Sequence, residues 1–267
     1  MSHILLTDST NGCIISPQLV LGVKKHMPYL SRTDLEGIAE RIFAAYKRLP
    51  ELEGREVYSV DPELLARRAL GLRVEYHTLS PDGSVLGLTS FGRASVRVWD
   101  GGGGYVELDG KTVLVEKSLR DDAALRGRYG FTLAHEAGHQ ALAMLYPREY
   151  HMEPQKPRFY RPGLRGRGDW EEWQASVLAS AILMPRELVE RGMFLMSLGD
   201  RLRLLNRLYA PREYERFCDL AALLRVSKSA LAIRMGRLGL LEHNFLRRPQ
   251  AFADVDADDD RLRLEAS

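Results

Sequence analysis

The sequence predicts an α+β protein, and three observations carry that prediction. Short segments rich in β-branched and aromatic residues, separated by Asp-Gly pairs, fill residues 72–117. Helical periodicity precedes them at 33–48, and from residue 128 almost every segment repeats its apolar residues at helical spacing. Strands and helices are therefore segregated along the chain rather than alternating, which separates α+β from α/β.

The first thirty residues mix polar residues with Gly12, Pro17 and Pro28 and form a variable segment with no legible function. In 33–48, Leu35, Ile38, Ile42, Ala45 and Tyr46 share one helical face, and Pro50 closes the helix. A second helix starts at the N-cap Asp61, with Pro62 in its first position, and ends near Gly71. The segments LRVEYHTL, VLGLTSF, ASVRVWD, YVELDG and KTVLVEK follow, with hairpin signals at Asp82-Gly83, Asp100-Gly101 and Asp109-Gly110. Together they predict a small antiparallel sheet. The run Gly101–Gly104 precedes no Gly-Lys-Ser/Thr and no helix, so it reads as a hairpin turn and not a phosphate loop. Helices are expected over 128–146, 169–184, 186–197, 200–209 and 212–240, punctuated by Pro147, Pro185 and Pro211. A loop over 153–169 carries three prolines, three glycines and five basic residues and reads as a solvated connection.

The composition narrows the function classes. A formal net charge of +2 over 267 residues is too small to drive binding to nucleic acid or a membrane through overall charge. Cys13 and Cys218 are distant in sequence and match no metal spacing, which argues for a reducing compartment. The longest apolar run, 175–184, is far short of a membrane span, and the N-terminus lacks the pattern of a signal peptide. A cytoplasmic protein with no membrane partner is expected.

The chemistry concentrates in RYGFTLAHEAGHQALAML (128–145). His135 and His139, four residues apart on a helix, project from one face a turn apart, where two imidazoles can share one Zn²⁺. Glu136 is rotated off that face, so it can act on a water without binding the metal. Ala134, Ala137 and Gly138 allow another element to approach closely. The extended pattern with a third histidine is excluded, because Leu142 and Leu145 stand where Gly and His are required. A later carboxylate must complete the site. In DWEEWQASVLASAILMP (169–185), Glu172 shares its helical face with Ala175, Ser176 and Ala179, all small, whereas Glu171 shares a bulkier face. Glu172 is the expected third ligand and Glu171 its solvated neighbour. Tyr129, Tyr150, His151 and Tyr160 remain open candidates for stabilising an oxyanion.

These two stretches, together with VDPELLARRALGLRV upstream, resemble the ImmA/IrrE family of zinc metallopeptidases over about residues 31–240. The family wording is close to R-F-T-x-A-H-E-x-G-H followed by E-x-x-A-(N/D)-x-F-A-x-x-L-L-M-P. The resemblance implies His135, His139 and Glu172 as zinc ligands and Glu136 as the catalytic glutamate. It further implies a zincin-like metallopeptidase core over 31–210, built from a small antiparallel sheet and active-site helices. The substrate it implies is a helix-turn-helix, XRE-like repressor, cleaved to relieve repression of mobile-element or stress genes. Ser176 stands where the family has Asn or Asp, and Leu178 where it has Phe; neither is expected to touch a ligand.

Residues 211–241 read as helix-turn-helix-like. Leu220, Leu224, Val226 and Leu231 take core positions, Ser227 caps the second helix, and Lys228, Arg234 and Arg237 are expected on its exposed face as DNA or partner contacts. Arg225 occupies a turn position that favours Gly. The tail, 242–267, is acidic and is expected to be disordered; it lacks the Gly that a Ca²⁺ loop needs. The competing function class is a non-enzymatic, zinc-containing DNA-binding transcription regulator. A third is a metallo-hydrolase acting on another bond.

Overall fold

The structure is a computed structural model, and it describes residues 29–150, 156–162 and 170–250. The expectations for the variable N-terminal segment, most of the basic loop, His151 and the end of the acidic tail lie outside the described residues. The fold is mixed α and β with small sheets, and the chain divides into two compact units, 1–183 and 184–267. That division precedes residue 210, where the sequence places the end of the core.

In the first unit, α1 (Arg32–Lys47) begins with a capping box between Ser31 and Asp34 and buries Leu35, Ile38, Ile42 and Tyr46 along the expected face. The short α2 (Pro62–Leu64) is capped by Asp61, whose carboxylate accepts from the amides of Glu63 and Leu64 at 2.9 and 3.0 Å. A π-helical turn, Leu65–Ala69, continues it. The strands β1 (Arg73–His77), β2 (Gly87–Thr89), β3 (Arg93–Val98), β4 (Gly104–Asp109) and β5 (Thr112–Glu116) come next. They are followed by α3 (Lys117–Asp121), α4 (Arg126–Leu145), α5 (Pro147–Tyr150), β6 (Arg158–Tyr160) and α6 (Trp170–Leu183).

The expected all-antiparallel sheet is corrected. One sheet has the order β1-β5-β2-β6, with β1 and β5 parallel and the remaining pairs antiparallel, while β3 and β4 form a separate ribbon. Only Asp100-Gly101 lies in a hairpin. β5 is buried along its whole length, so it belongs in the middle of a sheet covered on both faces. β3 alternates, with Val96 and Val98 buried and Arg93, Ser95 and Arg97 exposed, as a half-buried ribbon must. At the end of β4, Gly110 has φ +84 and passes so close to Phe91 that a Cβ would lie 2.9 Å from its carbonyl oxygen. That turn leads the chain out of the ribbon and into the sheet.

The two faces of the sheet are covered differently. Leu88 and Leu114 are register partners and pack with Leu79, Val85, Val96, Val98 and Leu108, so the ribbon closes one face. The opposite face, with Gly87, Thr89, Val113 and Val115, receives α4. Buried Gln140 anchors that helix: its Nε2 donates to Thr89 Oγ1 at 2.6 Å and to the Ser90 carbonyl at 2.8 Å. α6 packs along α4, and Gly138 makes the approach close, since a Cβ there would lie 3.3 Å from the Ala175 carbonyl oxygen.

The second unit contains α7 (Arg186–Leu195), β7 (Leu202–Leu205), α8 (Pro211–Leu223), α9 (Lys228–Leu238) and β8 (Leu241–Asn244). The helix expected over 200–209 is instead β7, paired in parallel with β8. Arg-Leu-Arg-Leu has the period of a strand, and Asn206 ends it by accepting from the amides of Leu208 and Tyr209 at 2.8 and 3.2 Å. α8 and α9 are separated by Arg225 at φ 56, and Ser227 caps α9 through the Ala230 amide. Leu220, Leu224 and Leu231 are buried as expected.

The predicted exposed face of α9 needs one correction. Lys228 and Arg237 are exposed, but Arg234 is only 2% exposed and its Nε donates to the Met184 carbonyl at 2.8 Å. Its guanidinium serves the interior of this unit rather than a surface. Beside α9, Ser229, Ala232 and Ile233 line a cavity of about 470 Å³ together with Asn244–Arg248.

Candidate metal centre

α4 has a polar face buried inside a helix that is almost wholly buried. His135, Glu136, His139 and Gln140 are each at most 3% exposed. Burying such a face costs free energy except where partners meet it. Gln140 finds them on β2, and the two histidines find Glu172 on α6.

The Nε2 of His135 lies 3.0 Å from one carboxylate oxygen of Glu172, and the Nε2 of His139 lies 2.9 Å from the other. The two Nε2 atoms are 3.2 Å apart. Three donors with these separations fit a single small ion, because tetrahedral bonds of about 2.0–2.1 Å put donors about 3.3 Å apart. His135, His139 and Glu172 form the group that can hold a metal ion among the described residues. The donor set fits, with two imidazoles and one carboxylate on neighbouring helices.

The electrostatics suit a cation. Burial pushes the imidazole of His135 down to about 4, against the opposing pull of Glu172, so it is neutral near pH 7 and has a lone pair to offer. Burial also disfavours charge on Glu172, but hydrogen bonds from both histidines outweigh it and hold the carboxyl well below the usual range.

Glu136 behaves differently. Its two oxygens are buried without a hydrogen-bond partner among the described residues, and burial, reinforced by the charge of Glu172, raises its pKa well above the carboxylate norm. The carboxyl lies against Gly87 of β2, where an added Cβ would be 2.5 Å from Oε1 and 2.8 Å from Cγ. Gly87 thus leaves the room that the side chain of Glu136 occupies. The sequence reading missed this residue; only its lack of a side chain inside a strand hinted at a close approach.

Two further expectations are corrected here. Ser176 does touch a ligand: its Oγ lies 3.3 Å from Nδ1 of His135. It sits one turn beyond Glu172 on the same face of α6, and that i, i+4 spacing was the signal available in the sequence. Glu171 is not solvated. It is 14% exposed and forms an ion pair with Arg158 of β6, whose guanidinium also covers the ring of Phe91.

The oxyanion candidates also separate. The Tyr129 hydroxyl pairs with Tyr76 at 2.8 Å and donates to Glu63 at 3.0 Å, and the Tyr150 hydroxyl donates to Gln174 at 3.3 Å. The ring of Tyr160 lies against His135, with centroids 4.2 Å apart, so it borders the metal centre.

The chain matches no protein-family model and no curated protein.

Proposed function

We propose that the protein is a cytoplasmic zinc-dependent endopeptidase of the ImmA/IrrE type. The observation that carries this reading is the pairing of a three-donor group, His135, His139 and Glu172, with a buried carboxyl, Glu136, that ligates nothing. A purely structural zinc site needs four closed ligands and has no use for such a carboxyl.

Zinc bound by the three side chains would polarise a scissile carbonyl and acidify water to a pKa of about 7. Glu136 takes the proton from the attacking water and passes it to the departing amine nitrogen. Gly87 fixes where the carboxyl sits, and Tyr160 is the candidate to donate to the developing oxyanion. The substrate class rests on the resemblance alone: a helix-turn-helix repressor whose cleavage relieves repression.

The test compares the wild type with Glu136→Gln for zinc content and for cleavage of co-expressed helix-turn-helix repressors. Equal zinc with cleavage by the wild type alone supports the peptidase. A second reading, a zinc-containing DNA-binding regulator, is favoured by the α8–turn–α9 arrangement with Lys228 and Arg237 exposed. Operator binding by both proteins, with every repressor left intact, would replace the first reading with the second.

A further inference from the structure

α6 reaches both nitrogens of one imidazole. Glu172 meets His135 at Nε2, and Ser176, one turn along the same helix face, meets it at Nδ1, 3.3 Å away. The ring between them is fully buried, and the Tyr160 ring lies against it at 4.2 Å. Its plane is therefore set by packing, and its proton is left as the remaining freedom.

Resting on the zinc reading above, we propose that Ser176 is a positioning residue that adapts to either tautomer of His135. The proton on a neutral imidazole occupies whichever nitrogen has the better acceptor, so the partner of Nδ1 decides whether Nε2 offers a lone pair. A hydroxyl is both donor and acceptor. When Nε2–H points at Glu172, the Ser176 hydroxyl donates to Nδ1. When the Nε2 lone pair faces an ion, the proton sits on Nδ1 and the same hydroxyl accepts it. The bond survives both arrangements, with its direction reversed. Without a hydroxyl the metal-free tautomer leaves a buried Nδ1 lone pair unpaired and the metal-ready tautomer leaves a buried Nδ1–H unpaired; an orphaned N–H is the costlier of the two, and the difference falls on metal binding.

The test measures zinc affinity by competition with a chelator in the full-length protein, for the wild type, Ser176→Ala, Ser176→Thr and Glu172→Ala. Visible spectra of the cobalt-loaded proteins report the ligand geometry, and thermal melts of the metal-free proteins report the fold. The expected result is zinc binding weakened about tenfold or more in Ser176→Ala, with a shifted cobalt spectrum and a metal-free melt lowered by no more than a few degrees. Ser176→Thr, which keeps the hydroxyl, should restore both. Affinity and spectrum of Ser176→Ala matching the wild type, while Glu172→Ala loses zinc, would overturn the role of Ser176 and leave the zinc site standing. Absence of zinc binding by the wild type would overturn both.

Discussion

Gly87 and Glu136 fit together as a space and its occupant: the absent side chain of one is the volume filled by the carboxyl of the other. The pair joins β2 to α4 at a buried acid beside the three donors that is not one of them. Gly87→Ala puts a Cβ 2.5 Å from Oε1, and the carboxyl must move. Peptidase activity should fall about a hundredfold, as expected for a displacement near 1 Å at a reacting group. Zinc content, read by metal analysis, should stay at the wild-type level, because none of the three donors touches Gly87. Loss of zinc and activity together would show that the strand supports the whole site instead.

Glu171 and Glu172 are adjacent but hold different elements. Glu172→Ala should abolish stoichiometric zinc. Glu171→Ala should keep it while costing about 2 kcal/mol of stability, because Arg158 loses a largely buried partner. Metal analysis and denaturant unfolding of the two variants separate these outcomes; equal zinc loss in both would contradict the assignment.

The Tyr76–Tyr129–Glu63 cluster predicts a pH dependence of folding. Burial works against the charge of Glu63, but hydrogen bonds from Tyr76, Arg67 and Tyr129 outweigh it and lower its pKa. Stability from a depressed carboxyl is present above its unfolded pKa and is lost as pH falls through the folded value. Tyr129→Phe should therefore cost about 1 kcal/mol near pH 7, a figure kept small because Glu63 is about one third exposed. The difference from the wild type should shrink below about pH 4. Urea unfolding at the two pH values reads it, and a constant difference would refute it.

Arg225 holds φ 56 between α8 and α9, a conformation that costs a residue with a Cβ about 1 kcal/mol. Its side chain is exposed, so Arg225→Gly should raise the melting temperature by a few degrees. An unchanged or lower melt would mean that the guanidinium contributes more than the backbone strain costs.

Much of the candidate metal centre was legible because helical spacing puts His135 and His139 on one face, and because the small residues beside Glu172 mark a face of close approach. Ser176 and Gly87 were harder to see. One acts through a single hydroxyl and the other through a missing side chain, and neither leaves a periodic trace. The helices emerged well for the same reason that the sheet did not. Helix hydrogen bonds are local, whereas the insertion of β5 between β1 and β2 depends on partners up to forty residues away. β7 was misread because four residues offer too short a window to tell a strand from a helical turn once a leucine-rich run follows. Arg234 was assigned to the surface on residue type, but a backbone carbonyl from the start of the same unit draws it inward.

Gly138 gives the site its calibre. It stands between the two histidines, where α4 meets the carbonyl of Ala175, and this contact brings the donors of α4 within about 3 Å of those of α6. Ions content with bonds of about 2.0–2.1 Å can touch all three donors at once. Those that need about 2.3–2.6 Å must lever two packed helices apart to do so. On the zinc reading, discrimination by ionic radius would therefore be set at a residue with no side chain, one that never meets the ion.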